Sequence, residues 1–208
     1  MLKIAVLVSG GGTNLEAIFD AVDAGRIKNG KVEVVIASKP GVYALERAKN
    51  HGVDQQVVSR RDCASAEEFD ARILQILTQR QVDLVVLAGF LSVLGEKVIK
   101  AYENRIINVH PALIPSFCGK GFYGLHVHEK VLEYGVKLTG ATIHFVNEIA
   151  DGGAIILQKA VAVCDDDTPE TLQKRVMEQA EWELLPQAIN LFCQGKLHIK
   201  GRRVSIDR

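Results

Sequence analysis

Asn108 and His110 lie two residues apart at the end of the apolar run Ile106-Ile107-Asn108-Val109-His110, directly before Pro111. Side chains alternate between faces in an extended segment, so the carboxamide and the imidazole project to the same side. A neutral dipole is thereby paired with a group that titrates near neutrality. Pro111 and Pro115 bar a helix and fix the chain as it leaves the strand. The pair is therefore expected at a strand end facing a loop, where open α/β sheets bind ligands.

A third group comes from His144–Gly153, where Asp151 stands beside Gly152 and Gly153. A carboxylate near an imidazole raises its pKa and orients its proton, and a neighbouring amide donates to a developing oxyanion. Such a set suits acyl transfer through a tetrahedral intermediate. No Ser or Cys sits in a nucleophile elbow, so direct attack by a substrate amine is more natural than an acyl-enzyme, with proximity supplying much of the acceleration. Ser9-Gly10-Gly11-Gly12-Thr13-Asn14-Leu15 is a second constellation, placed after the first strand and opening the first helix. Its glycine N–H groups and the positive helix end suit a phosphate monoester. It is neither a Walker loop nor a G-x-G-x-x-G fingerprint. Taken singly, each motif has a plain alternative: a strand end and turn cap at Asn108 and His110, a turn-forming Asp151, a glycine turn without ligand.

The elements that must hold these groups follow from periodicity. Apolar runs at Ile4–Val8, Val32–Ala37, Gln56–Val58 and Leu84–Ala88 alternate with helically spaced segments, as at Leu15, Ile18, Phe19 and Val22, then Phe69, Ile73, Ile76 and Leu77. Continuous apolar strands imply a parallel sheet covered on both faces. After Ile107 the pattern changes to a long irregular stretch, then the β-rich runs Lys137–Val146 and Ala154–Val163, spaced to pair as an antiparallel ribbon. A last helix is expected from a cap at Thr168 with Pro169 at its first position, running through Leu172, Val176, Ala180 and Leu184 toward Phe192. The tail from Lys200 to Arg208 reads as polar and peripheral. The fold class is α/β: one domain over 1–208, with a mainly parallel doubly wound sheet and an antiparallel C-terminal part.

With 208 residues, 48% hydrophobic, the chain is long enough for one sizeable core. Twenty-five basic and 25 acidic residues cancel, so no global field argues for nucleic acid or an anionic membrane, and any anion site must be local. Cys63, Cys118, Cys164 and Cys193 form no C-x-x-C, which fits reduced thiols in a cytoplasm better than a metal or disulfide framework. The apolar run after Met1-Leu2-Lys3 is too short for a signal segment, and no run reaches a membrane-spanning length.

Four segments together resemble the phosphoribosylglycinamide formyltransferase family, folate-dependent enzymes of purine biosynthesis. They are Ser9–Leu15, Leu87-Ala88-Gly89-Phe90-Leu91, Ile107–Ser116, and Thr142–Val146 through Asp151-Gly152-Gly153, in family order over nearly the whole chain. The resemblance implies the formyltransferase fold, with a nucleotide-binding half at 1–105 and a folate-binding, catalytic half at 106–208. It implies Asn108, His110 and Asp151 as the catalytic set, with 10-formyltetrahydrofolate as co-substrate and no metal. It also places glycinamide ribonucleotide on Gly11, Gly12, Thr13 and Asn14, with Glu181 near it, and the pterin beside Leu87, Phe90, Leu91 and Leu94. The apolar members of that last segment read equally as core. A cytoplasmic monomer or homodimer is expected, without nucleic-acid or membrane partners.

Two departures from the family pattern stand out. Spacing from Arg175 to Pro186 is one residue longer, with Trp182 in place of a common histidine, and Phe117–His128 is longer than the short form of many relatives. That insertion is expected beside the active site as part of a lid. His126 and His128 read as structural or surface histidines rather than a metal pair, while the family counterpart of His144 lies close to the catalytic histidine. A formyltetrahydrofolate hydrolase would normally bring an N-terminal regulatory domain, and a methionyl-tRNA formyltransferase additional C-terminal sequence and a basic surface. A non-catalytic binding module is the alternative of a different class.

Overall fold

Leu2–Val8 (β1) divides its side chains by alternation: Ile4, Val6 and Val8 enter one core, while Ala5 and Leu7 enter another on the opposite face. A strand buried on both faces belongs inside a sheet covered by helices on each side. The computed structural model, which describes residues 1–207, has this architecture. Thr13–Asp23 (α1), Gly30–Ala37 (β2), Tyr43–Asn50 (α2), Asp54–Val57 (β3), Ala66–Gln79 (α3), Leu84–Leu87 (β4), Glu96–Ala101 (α4) and Ile106–His110 (β5) alternate along the first half. β1 pairs in parallel with β2 and β4, β2 with β3, and β4 with β5.

Leu125–Tyr134 (α5) ends the irregular stretch, and Leu138–Phe145 (β6) and Ile155–Ala162 (β7) form the expected antiparallel ribbon. Because β6 also runs antiparallel to β5, the ribbon extends the same sheet. The tail is peripheral, as expected, but it forms strands that were not expected. Leu197–Lys200 (β8) and Arg203–Ile206 (β9) pair as a hairpin that completes the sheet order β3-β2-β1-β4-β5-β6-β7-β9-β8. Leu197, Ile199 and Val204 supply apolar positions that pack on the first core, which is why these short polar strands dock at all. Arg208 lies outside the described residues.

The last helix is capped as expected. Thr168 Oγ1 accepts from Thr171 N, Thr171 Oγ1 accepts from Thr168 N, and Pro169 opens the helix. It is not one regular helix, however. Pro169–Val176 (α6) passes through a π turn at Met177–Glu181 into Trp182–Cys193 (α7). A π turn accommodates one extra residue without breaking the helix, and it falls in the interval the sequence shows to be one residue longer.

Candidate active site

β1 connects outward to β2 on one side and β4 to β5 on the other, so the strand order reverses beyond the carboxyl ends of β1 and β4. Ligand clefts form at such switch points. A cleft of about 350 Å³ opens there, lined by 9–14 after β1, 88–91 after β4, 108–111 at the end of β5, and groups from the insertion and the α6–α7 helix.

The glycine loop is held from behind by α2. Ala44 N donates to Gly10 O at 3.2 Å and Arg47 Nε to Gly11 O at 2.9 Å. Gly12 precedes α1 at φ +74°, and a Cβ there would stand 2.7 Å from Ala44 Cβ, so only glycine fits. The first N–H groups of α1 have no intrahelical acceptor. No Lys or Arg is among the described cleft-lining residues, so an anion here would rest on backbone N–H groups and the helix end. Ser9 ties the loop to its neighbour: its hydroxyl meets Ser38 Oγ at 2.7 Å and accepts from Leu91 N at 2.9 Å.

The structure brings Asn108, His110 and Asp151 together. The β5–β6 register sets Asn108 opposite His144, and a register shift at Ile143/His144 re-aims the chain beside the site. His144 Nδ1 donates to Phe145 O at 2.8 Å, which leaves Nε2 to accept from Asn108 Nδ2 at 3.1 Å and fixes the carboxamide's orientation. His110 Nε2 donates to Phe117 O at 2.8 Å, so Nδ1 faces Asp151 Oδ2, 3.6 Å away. Asp151 Oδ1 lies 3.6 Å from His144 Nε2, and Gly119 N donates to Asp151 Oδ2 at 2.7 Å. The turn after His110 is pinned by Thr142, whose hydroxyl donates to Ala112 O and accepts from Ile114 N.

Electrostatics corrects one expectation. Asp151 alone would raise the pKa of His110, but burial outweighs it, and the imidazole sits below its ordinary value despite the carboxylate and the Phe117 carbonyl. Burial also opposes the charge on Asp151, yet the two imidazoles and the Gly119 N–H overcome it and hold the carboxyl low. Asp151 faces His110 Nδ1 and is placed to stabilise an imidazolium that forms there during reaction.

Glu181, emerging from the π turn, is buried and accepts from Asn14 Nδ2 at 2.6 Å. Burial pushes its carboxyl up to about 7, with Asn14 only partly compensating. Gly11, Gly12, Thr13, Asn14 and Glu181 all line the cleft. Of the four pterin-side residues, Phe90 and Leu91 line it too, whereas Leu87 and Leu94 are buried in the second core away from it. Their positions at the end of β4 and before α4 turn both side chains onto the helix layer. His126 is exposed and paired with Glu129. His128, expected to be structural or at the surface, is fully buried in the cleft wall, with neither ring nitrogen hydrogen-bonded.

The family described as formyl transferase matches residues 2–189. Phosphoribosylglycinamide formyltransferase of Haemophilus influenzae is 39% identical over 207 residues, 100% of this chain and 94% of that protein. The chain belongs to the phosphoribosylglycinamide formyltransferase family. Glycinamide ribonucleotide transformylase 1 from Symbiobacterium toebii superposes with a TM-score of 0.94 at 44% identity, covering 100% of this chain and 95% of that one. The trifunctional purine biosynthetic protein adenosine-3 of Drosophila melanogaster is 40% identical over 194 residues, 93% of this chain but 14% of that much longer protein. Within this formyltransferase, sequence reasoning passed over Gln173 and Met177, quoted Ser9 only as part of the glycine loop, and gave His128 no place in the site. Gln173 and Met177 stand one helical turn apart on the cleft face of the last helix, and His128 closes the Leu125-His126-Val127-His128 segment at the start of α5. Only that last segment carried a signal, because serine, glutamine and methionine at these spacings are ordinary helix and loop residues.

Proposed function

We propose that this chain transfers the formyl group of 10-formyltetrahydrofolate to the amine of glycinamide ribonucleotide, giving formylglycinamide ribonucleotide and tetrahydrofolate in purine biosynthesis. The observation that carries this reading is the juxtaposition of Asn108, His110 and Asp151 at the mouth of the glycine-loop cleft, in a member of this family. The phosphate would rest on Gly11, Gly12, Thr13 and Asn14 at the start of α1, with Glu181 facing the rest of the nucleotide. The folate would lie on the opposite side, over Phe90 and Leu91. On this reading 1–105 chiefly hold the nucleotide, and 106–208 supply catalysis and much of the folate site.

The amine attacks the formyl carbon directly. Negative charge that develops on the formyl oxygen is met by the free Nδ2 hydrogen of Asn108 and by His110 Nε2–H, whose acceptor changes from Phe117 O to substrate oxygen. The amine's proton passes toward His110, and the imidazolium pairs with Asp151, which also orders the water that relays protons. Collapse of the tetrahedral intermediate breaks the carbon–nitrogen bond to the folate, whose N10 takes the proton. All these side chains come from one chain. No described helix is long and apolar enough to cross a membrane, in keeping with work in a cytoplasm.

The test is to incubate the protein with 10-formyltetrahydrofolate, with and without glycinamide ribonucleotide, and to follow tetrahydrofolate and formylated product. Product formed only with the amine supports the transferase. Deformylation without it points to a hydrolase, and no turnover points to a binding module.

A further inference from the structure

Ser9 follows β1, the middle of three adjacent strands in the order β2-β1-β4, and its side chain is buried beyond their carboxyl ends. The hydroxyl oxygen meets Ser38 Oγ, just past β2, at 2.7 Å, and accepts from Leu91 N, in the segment that leaves β4, at 2.9 Å. A hydroxyl has one hydrogen and two lone pairs, so both bonds form at once whichever serine donates to the other.

The two segments joined by this hydroxyl differ in how much else holds them. Residues 89–94 belong to no helix or strand. They are fixed at one end by Ala88 N, which donates to Leu7 O at 2.9 Å, and at the other by Gly95 N, which donates to Asp70 Oδ1 at 2.9 Å. Between those points the bond from Leu91 N to Ser9 Oγ is the one hydrogen bond made by residues 89–94, among the described residues. Phe90 and Leu94 pack on the second core, whereas Leu91 and Val93 are 59% and 88% exposed, so packing does little to fix the Leu91 backbone. The glycine loop has its own supports, since Ala44 N donates to Gly10 O and Arg47 Nε to Gly11 O. Loss of the Ser9 hydroxyl therefore releases Leu91 and leaves the glycine loop in place.

We propose that Ser9 is a positioning residue for the folate side of the reaction, although it belongs to the loop on the ribonucleotide side. It sets where Phe90 and Leu91, which line the cleft, stand relative to the glycine loop, and through them the fit of the formyl donor. The inference rests on the formyl-transfer reading, in which the folate lies over those two residues.

The experiment reads the bond and its consequence separately. Amide hydrogen exchange of the wild-type protein, followed by NMR, should find the Leu91 N–H protected between freely exchanging Phe90 and Ser92, with protection that rises on adding 10-formyltetrahydrofolate and not on adding glycinamide ribonucleotide. In Ser9→Ala that protection should be lost, while Ser38 and Ala88, whose N–H groups bond Val8 O and Leu7 O, keep theirs. Steady-state transfer by Ser9→Ala should show KM for the folate raised about fivefold or more and KM for the ribonucleotide within about twofold of wild type. A wild-type Leu91 amide that exchanges as fast as its neighbours, a folded Ser9→Ala with unchanged folate KM, or an equal rise in both KM values overturns the proposal alone. If Ser9→Ala does not fold, wild-type exchange decides, and Leu91 protection insensitive to the folate overturns the proposal. Absence of any transfer by the wild-type protein overturns the underlying reading and the proposal with it.

Discussion

The two walls of the cleft treat buried polarity in opposite ways. On the β5–β6 wall no buried nitrogen or oxygen of Asn108, His110, His144 or Asp151 lacks a partner, among the described residues. On the helical wall Asn14 Oδ1 and both nitrogens of His128 are orphaned, and Glu181 is buried with a single amide beside it. A satisfied network is rigid and keeps one geometry, whereas unpaired buried groups persist where something else completes them. On the proposed reading, the contrast separates a wall that does the chemistry from a wall that receives the ligand.

Breaking the chemical wall should cost most. Asn108→Ala removes an oxyanion donor and is expected to lower kcat by about 10²–10³-fold with little change in KM, measured by steady-state transfer. Asp151→Asn should lower kcat by roughly 10²-fold, as expected for loss of a general acid–base partner. It also withdraws the one negative charge that raises the His110 pKa, so the His110 titration point, followed by NMR, should move still lower.

The receiving wall should answer in stability rather than rate. Glu181 keeps its proton in the folded state up to about 7, against 4.5 for the ordinary group. The native state therefore binds more protons than the unfolded one between those values, and wild-type stability falls as pH rises through that window. Glu181→Gln should be more stable than wild type by about 3 kcal/mol at pH 8, at roughly 1.4 kcal/mol per pKa unit, with the gap closing toward pH 4.5 in denaturant melts. A gap that widened toward acid would place the carboxylate's charge on the stabilising side.

The smallest effect sharpens the contrast from within the chemical wall. His144→Phe keeps the ring volume but releases the Asn108 carboxamide, and should cost about tenfold in kcat while leaving substrate binding unchanged, as misorientation of a single donor does. An unchanged kcat would mean that the strand register alone aims Asn108.

How far the sequence reveals this follows the same division. Local rules placed the proposed catalytic side: two-residue alternation put Asn108 and His110 on one face, prolines ended the strand, and the glycine run marked the start of α1. The partner of Asn108 was less legible, because His144 meets it only through the antiparallel register of strands 36 positions apart. Leu87 and Leu94 show why the alternative stayed open, since apolar residues at a strand end are assigned to core or cleft only by the helix that covers them. His128 and the π turn depend on how α5 and α6 pack, which no local pattern encodes. The extra residue between Arg175 and Pro186 was visible, but its accommodation as a π turn was not. The lowered pKa of His110 was hidden for a similar reason, since burial depends on the insertion that covers the ring.

The most direct measurement of the central claim is single-turnover formyl transfer by His110→Asn, with ribonucleotide and folate affinities measured on the same protein by calorimetry. The account predicts transfer slowed by about 10³-fold or more while both affinities stay within a few-fold of wild type. Transfer at the wild-type rate would contradict it, because the imidazole that meets both the formyl oxygen and Asp151 would then have no part in the reaction.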